Sequence, residues 1–206
     1  MSELLPQVYP ITDVRISGLS HAGQVERLAE GGATLIQLRE KTASPREFYD
    51  AALEAMQIAR SLGVRIIIND RADIAIAVGA DGIHLGQSDF PPDSARALLG
   101  ENRIIGYSTH SLKQALLADS EPVDYIAIGP MFQTVTKDNP HPVVDLSVLN
   151  QINRQTSKPL VAIGGITLDR AQSVMDAGAD SVAVISDLLA SGDIANRTRA
   201  YFDLFR

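Results

Sequence analysis

Eight short aliphatic, β-branched runs punctuate the chain, at residues 8–12, 33–39, 65–69, 82–85, 103–107, 124–128, 159–163 and 181–185. They read as nearly continuous apolar stretches, the mark of strands buried on both faces, and the longer segments between them space their apolar residues as helices do. Regular alternation of the two is the pattern of repeated βα units around a parallel sheet. In the segment 45–62, Phe48, Ala52, Ala55, Met56 and Ala59 fall on one stripe, with Ser44 placed to cap the helix, Pro45 at its first position and Gly63 to stop it. The phrases Gly31-Gly32-Ala33, Gly79-Ala80-Asp81 and Gly178-Ala179-Asp180 repeat one exit, in which a helix ends on glycine and a strand begins. Eight units of about 26 residues, with no Gly-x-Gly-x-x-Gly opening, favour closure into a single-domain (β/α)8 barrel over 1–206 against an open doubly wound sheet.

Composition narrows the chemistry. The 206 residues are 45% hydrophobic and 21% charged, which fits one folded domain. A net charge of -7 argues against a broad electrostatic footprint on nucleic acid or anionic membrane, so an anionic ligand must be met by local positive charge. The absence of cysteine excludes disulfides, thiolate nucleophiles, zinc ribbons and iron–sulfur ligation. Residues 1–14 lack a basic start followed by an apolar stretch, and no run approaches the roughly 18 apolar residues of a membrane span. The expectation is a cytoplasmic protein without nucleic-acid or membrane partners; a homo-oligomer is compatible with it.

In a parallel barrel the functional face lies at the C-terminal ends of the strands, and polar residues gather there in this chain. The second run ends Gln37-Leu38-Arg39-Glu40-Lys41, and period-two geometry turns Gln37, Arg39 and Lys41 inward while Ile36 and Leu38 face the helices. The Arg39 guanidinium suits a phosphate or carboxylate, the bland alternative being an ion pair with Glu40 or a neighbouring strand. The third run ends at Asn69 with Asp70 next, and Asp89 follows the fourth, placing two carboxylates at neighbouring strand ends. Carboxylates, water and a polyphosphate together are how proteins usually hold Mg²⁺, although either aspartate alone reads equally well as a helix cap. Ser108 and Thr109 follow the fifth run, and the long segment 129–142 carries Thr134, Val135, Thr136 and Lys137, which suits a mobile lid with phosphate donors. Gly164-Gly165 after the seventh run and Ile185-Ser186 after the eighth lie where phosphate-binding barrels present backbone N–H groups. The four histidines show no metal-ligand spacing, and His84 reads as a satisfied structural histidine. Two anion sites across one mouth imply two substrates, with diphosphate displaced by a nucleophile on the second.

From residue 9 to residue 188 the chain resembles the thiamin phosphate synthase family. The resemblance rests on Gln37-Leu38-Arg39-Glu40-Lys41, Asn69-Asp70-Arg71, His84-Leu85-Gly86-Gln87 with Asp89, Ser108-Thr109-His110, Gly129-Pro130 with Thr134-x-Thr136-Lys137, Ala162-Ile163-Gly164-Gly165-Ile166 and Ile185-Ser186, in the family's order. It implies coupling of 4-amino-5-hydroxymethyl-2-methylpyrimidine diphosphate to a thiazole phosphate, giving thiamin phosphate and diphosphate by a dissociative, Mg²⁺-assisted path. By position, Gln37, Leu38, Arg39, Glu40, Lys41, Asn69, Ser108 and Lys137 would bind the pyrimidine diphosphate, with Arg39, Lys41, Ser108 and Lys137 catalytic. Asp70 and Asp89 would hold Mg²⁺, and Thr134, Val135, Thr136, Gly165, Ile185 and Ser186 the thiazole phosphate. Glu40 belongs to the motif without an assignable role.

The nearest rival is a thiazole tautomerase, which resembles the synthase but carries a histidine where this chain has Pro130 and loses parts of the diphosphate site. A silent ligand-binding protein on the same barrel is the rival of another class. Asp89, Thr134, Thr136 and Lys137, all present, favour the synthase over both. Ser88 replaces an acidic residue expected before Asp89, and Pro140-His141-Pro142-Val143-Val144-Asp145 replaces a more glycine-rich exit from the loop.

Overall fold

A computed structural model describes residues 4–134 and 141–206. The elements run β1 (Val8–Pro10), α1 (Val14–Ser17), α2 (His21–Glu30), β2 (Leu35–Leu38), α3 (Pro45–Leu62), β3 (Arg65–Asn69), α4 (Ala72–Val78), β4 (Gly82–Leu85), α5 (Pro92–Leu99) and β5 (Ile104–Thr109). They continue α6 (Leu112–Asp119), β6 (Tyr125–Ile128), α7 (Leu146–Gln155), β7 (Leu160–Ile163), α8 (Leu168–Asp176), β8 (Ser181–Val184), α9 (Ser186–Leu189) and α10 (Ile194–Leu204). Every paired strand is parallel, in the order β1-β8-β7-β6-β5-β4-β3-β2. The seam between β1 and β2 is closed by a single bridge, Ile11 opposite Gln37, where Thr12 N–H donates to the Gln37 carbonyl at 2.8 Å. The fold is therefore an eight-stranded α/β barrel, as the patterning predicts.

Local rules account for the elements. Ser44 accepts from Glu47 N–H at 3.3 Å and the Glu47 carboxylate accepts from Ser44 N–H at 2.8 Å, a capping box that starts α3 beside Pro45. Gly63 ends α3 at φ 69°, in the left-handed region that glycine enters without steric cost. The apolar stripe of α3 buries the five residues its spacing marks, Phe48, Ala52, Ala55, Met56 and Ala59. The repeated exits also share one geometry: Ala33, Ala80 and Ala179 N–H groups donate back to the carbonyls of Leu28, Ala75 and Val174.

Strand edges differ from the apolar runs where hydrogen bonding overrides patterning. The first strand stops at Pro10 instead of Thr12, because the next residues turn into the α1 cap at Asp13. The fifth continues to Thr109 instead of Tyr107, held by its pairing with Ile128 and by the Thr109 hydroxyl donating to the Ala127 carbonyl at 2.9 Å.

Alternation along the strands divides the core in two. Tyr9, Ile11, Leu35, Ile67, Tyr125, Ala127, Val161 and Ala183 fill the barrel, whereas Ile36, Leu38, Ile66 and Ile68 pack outward beneath the helices. The Tyr125 ring enters the interior because β5 carries Gly106 there; a Cβ at that position would lie 2.0 Å from the ring. No helix among the described residues is long and apolar enough to cross a membrane.

Candidate active site

The ends of β1 to β4 assemble a charged quarter of the barrel mouth. Asp13 caps α1, and its carboxylate is clasped by two arginines: Arg15 donates to both oxygens at 3.0–3.2 Å and Arg39 Nη1 to Oδ2 at 2.5 Å. Burial pushes the Asp13 carboxyl up, but the hydrogen bonds from Arg15 and the two guanidinium charges outweigh it and hold the group below its ordinary value. Arg39 is only 6% exposed. Its partner is therefore Asp13, at the end of the neighbouring β1, so the ion pair with a neighbouring strand that the sequence offers is the one formed, and not the pair with Glu40.

Glu40 instead organises the turn after β2. Its Oε1 accepts from the N–H groups of Lys41, Thr42 and Ala43 at 2.7–3.1 Å and from the Thr42 hydroxyl at 2.9 Å. Burial opposes the charge, yet these donors bring the carboxyl down to about 2. Its other oxygen lies 3.5 Å from Nε2 of the buried His21, whose Nδ1 is bonded to the Thr12 hydroxyl at 2.7 Å. Burial holds His21 below its usual value, with the Glu40 charge working against that shift. The turn that Glu40 shapes presents Lys41, whose Nζ meets Asp70 Oδ2.

Asp70 sits at φ 63°, the one non-glycine residue with positive φ among those described, and its N–H donates to the His84 carbonyl at 2.8 Å. It does not cap α4, whose N-cap position is Arg71. Nor does Asp89 cap α5, which begins behind Pro91; its Oδ2 accepts from Gly86 N–H at 2.7 Å. Burial, and next the charge of the adjacent Asp70, push the Asp89 carboxyl up. Both cap readings fail, and what remains is a pair of carboxylates facing one cavity with Arg15, Arg39 and Lys41. Asn69 lines the same cavity, and its amide nitrogen is buried without a hydrogen-bond partner among the described residues. Such an orphaned donor calls for a ligand acceptor.

On the far side, the ends of β6 to β8 line a second, mainly apolar cavity with Pro130, Thr134, Ile163, Gly165, Ile185 and Ser186. Gly164 and Gly165 have φ of 101° and 64°, and a Cβ at Gly165 would fall 2.6 Å from the Gln133 carbonyl oxygen. The turn therefore packs directly against residues 130–133, where a side chain would not fit, and both glycines line the cavity. Ser108, His110 and His141 border both cavities. The rings of His110 and His141 stack at 3.6 Å, and His110 Nδ1 donates to the Gly129 carbonyl at 2.7 Å, which fixes that ring's tautomer.

Beneath Ser108 a buried polar chain crosses the barrel. Gln37 Nε2 donates to Tyr9 Oη at 3.1 Å, Tyr9 and Tyr125 share a hydrogen bond of 3.1 Å, and Tyr125 Oη meets His84 Nδ1 at 2.9 Å. His84 Nε2 then lies 2.8 Å from Ser108 Oγ. His84 is thus the satisfied histidine that the sequence suggests.

The structure brings Arg39, Lys41, Asn69, Asp70, Asp89 and Ser108 to the charged cavity and Thr134, Gly165, Ile185 and Ser186 to the apolar one. Gln37 lies below the cavities in the polar chain, and Leu38 turns its side chain into the outer core. Val135, Thr136 and Lys137 lie outside the described residues. Sequence reasoning passed over Asp13, Arg15, Tyr9 and Tyr125. The signal for the tyrosines was a hydroxylated side chain at an inward strand position, and for Asp13 and Arg15 a charged i, i+2 pair directly after the first run.

The mouth of this α/β barrel thus joins a cation–carboxylate cavity to an apolar, glycine-edged one, at the face where barrels of this kind carry their sites. The family model described as thiamine monophosphate synthase matches residues 8–188. The chain is 48% identical over 192 residues to the thiamine-phosphate synthase of Koribacter versatilis, covering 90% of each chain. To that of Chloroflexus aurantiacus it is 44% identical, over 94% of this chain and 89% of the other. It superposes on the thiamine phosphate pyrophosphorylase of Pyrococcus furiosus with a TM-score of 0.87 at 36% identity, covering 96% and 94% of the two chains. The chain belongs to the thiamine monophosphate synthase family and is a transferase of thiamine biosynthesis.

Proposed function

We propose that the protein condenses 4-amino-5-hydroxymethyl-2-methylpyrimidine diphosphate with 4-methyl-5-(2-phosphooxyethyl)thiazole, or its carboxylate, to give thiamin phosphate and diphosphate. The observation that carries this reading is the pair of chemically unlike cavities meeting at Ser108. Arg39, Lys41, Ser108 and Lys137 receive the diphosphate, and Asn69, with its orphaned donor, meets the pyrimidine, with Gln37 supporting that end of the cavity from below through Tyr9. Thr134, Val135, Thr136, Gly165, Ile185 and Ser186 hold the thiazole phosphate.

Asp70 and Asp89 fit a divalent cation. They are hard oxygen donors on neighbouring strand ends, close enough for one to raise the other's pKa. No group of three or more His, Cys, Asp or Glu suited to a metal occurs among the described residues. A pair suffices for Mg²⁺, which keeps much of its water and shares the rest with phosphate. When bound, Mg²⁺ neutralises charge on the departing diphosphate.

In this reaction the bond between the pyrimidine methylene carbon and the diphosphate oxygen breaks, its electron pair leaving with the oxygen. The electron-rich aminopyrimidine carries the resulting cation, and the thiazole nitrogen supplies the electron pair of the new carbon–nitrogen bond. No proton is transferred, so the site needs no general base. The residues work by position and charge: Arg39 and Lys41 hold the leaving group, Ser108 donates to it, and the apolar wall aligns the thiazole. A chain without cysteine suits a reducing cytoplasm.

The test is thiamin phosphate formation from the two phosphorylated heterocycles, with Mg²⁺ and with excess chelator. Metal-dependent product is expected. A folded protein that yields none in either condition overturns the reading in favour of a tautomerase or a binding protein.

A further inference from the structure

We infer that His84 is a positioning residue that keeps Ser108 a hydrogen-bond donor toward the cavities, its own tautomer being set from across the barrel by Gln37, Tyr9 and Tyr125. The inference rests on the proposed role of Ser108 as a substrate contact.

Donors and acceptors along the chain set its direction. An amide nitrogen only donates, so Tyr9 Oη accepts from Gln37 Nε2, and the buried Tyr9 proton, with no other acceptor among the described residues, goes to Tyr125 Oη. Tyr125, having accepted that proton, has only His84 Nδ1 left to donate to. Burial, and then the presence of Tyr9, push the Tyr125 hydroxyl well above its ordinary pKa, so it stays a neutral donor. A neutral imidazole that accepts at Nδ1 carries its proton at Nε2, and that proton points at Ser108 Oγ. The serine hydroxyl therefore accepts from below, and its own proton is left for a ligand above. Ser108 borders both cavities, as His110 and His141 do, and it is the one of the three that the buried chain reaches.

The network is expensive to place inside a barrel. Tyr9 and Tyr125 are 1% and 0% exposed, and Gln37 is 2% exposed, where apolar side chains of like size would pack without needing partners. Gly106 is shaped around it too, since any Cβ there would collide with the Tyr125 ring. The direction imposed on Ser108 is what this arrangement supplies. A serine free to turn would spend part of its time donating to His84 instead of to substrate.

The test combines a spectrum and a set of variants. In the protein labelled with ¹⁵N at its four histidines, with His84 assigned by loss of its signals in His84→Gln, the imidazole is expected to show a protonated-type shift at Nε2 and an unprotonated-type shift at Nδ1. The opposite tautomer, or a doubly protonated ring, overturns the inference. Tyr125→Phe removes the hydroxyl and keeps the ring; it is expected to shift His84 toward the other tautomer and to lower kcat by about tenfold to hundredfold with KM for both substrates little changed. An unmoved tautomer, or an unmoved kcat, contradicts it. His84→Gln retains an N–H at the Nε2 position and is expected to keep more of kcat than His84→Leu, with equal losses contradicting the inference; thermal melts establish that each variant is folded. Should the wild-type protein make no thiamin phosphate, the functional proposal fails while the imidazole spectrum still decides the direction of the chain.

Discussion

The two sides of the barrel mouth use opposite means. On the side of β1 to β4, charged side chains do the work, and each is already engaged: Asp13 by Arg15 and Arg39, Asp70 by Lys41, Asp89 by the Gly86 backbone. On the side of β6 to β8, the lining is mainly apolar, with Gly164 and Gly165 beside Ile163 and Ile185. The difference teaches what each ligand demands. On the proposed reading, a highly charged leaving group needs counter-charge held in place before it arrives, and pairing the cations with carboxylates keeps them oriented without leaving a buried charge alone. On the same reading, a monophosphate on a neutral heterocycle needs close approach and an apolar wall, to which glycine and isoleucine are suited.

If that division is right, each side should fail in its own way. The largest effect is expected from Asp70→Asn, which removes a carboxylate from the pair and the partner of Lys41. Turnover should fall by about 10²–10³ with weakened Mg²⁺ dependence, and steady-state rates across a Mg²⁺ series check it. Next comes Gly165→Ala. The φ of 64° and the 2.6 Å approach to the Gln133 carbonyl oxygen predict a displaced turn. KM for the thiazole phosphate should rise by about tenfold or more while KM for the pyrimidine diphosphate holds, the outcome that separates the two sides. A rise in both constants would break the comparison.

Glu40→Gln tests the support of the charged side. The carboxyl falls from 4.5 to about 2 on folding, so its stabilisation is present above the higher value and fades as pH drops toward the lower one. Loss of that charge should cost about 2 kcal/mol at neutral pH, seen as a lower denaturant midpoint, and should flatten the acid dependence across this window. Parallel pH profiles for variant and wild type would refute it. The smallest effect is expected from Arg15→Ala. Arg15 is 43% exposed at its side chain and shares Asp13 with Arg39, so diphosphate affinity should weaken by only about tenfold or less, measured by titration calorimetry.

Most of the barrel was legible in the sequence because its signals are local. Apolar runs, the Ser44–Glu47 cap and the glycine exits each need only a few neighbouring residues to be read. The candidate site was legible where a strand end carries its own polar residue, as at Arg39, Asp70 and Asp89. What escaped depends on pairing across the barrel. Arg39 binds Asp13, 26 positions away, and not its neighbour Glu40. His84 and Tyr125 meet across 41 positions, Tyr9 and Tyr125 across 116. Glu40 had no assignable role because its task is to hold backbone N–H groups, which leave no pattern in the side chains.

The division of labour at the mouth is tested most directly by calorimetric titration of inorganic diphosphate with Mg²⁺ into wild type, Lys41→Ala and Gly165→Ala. The account predicts that Lys41→Ala binds diphosphate about tenfold or more weakly, whereas Gly165→Ala binds it within about twofold of wild type. Equal weakening by the two substitutions, or none by Lys41→Ala, would contradict it.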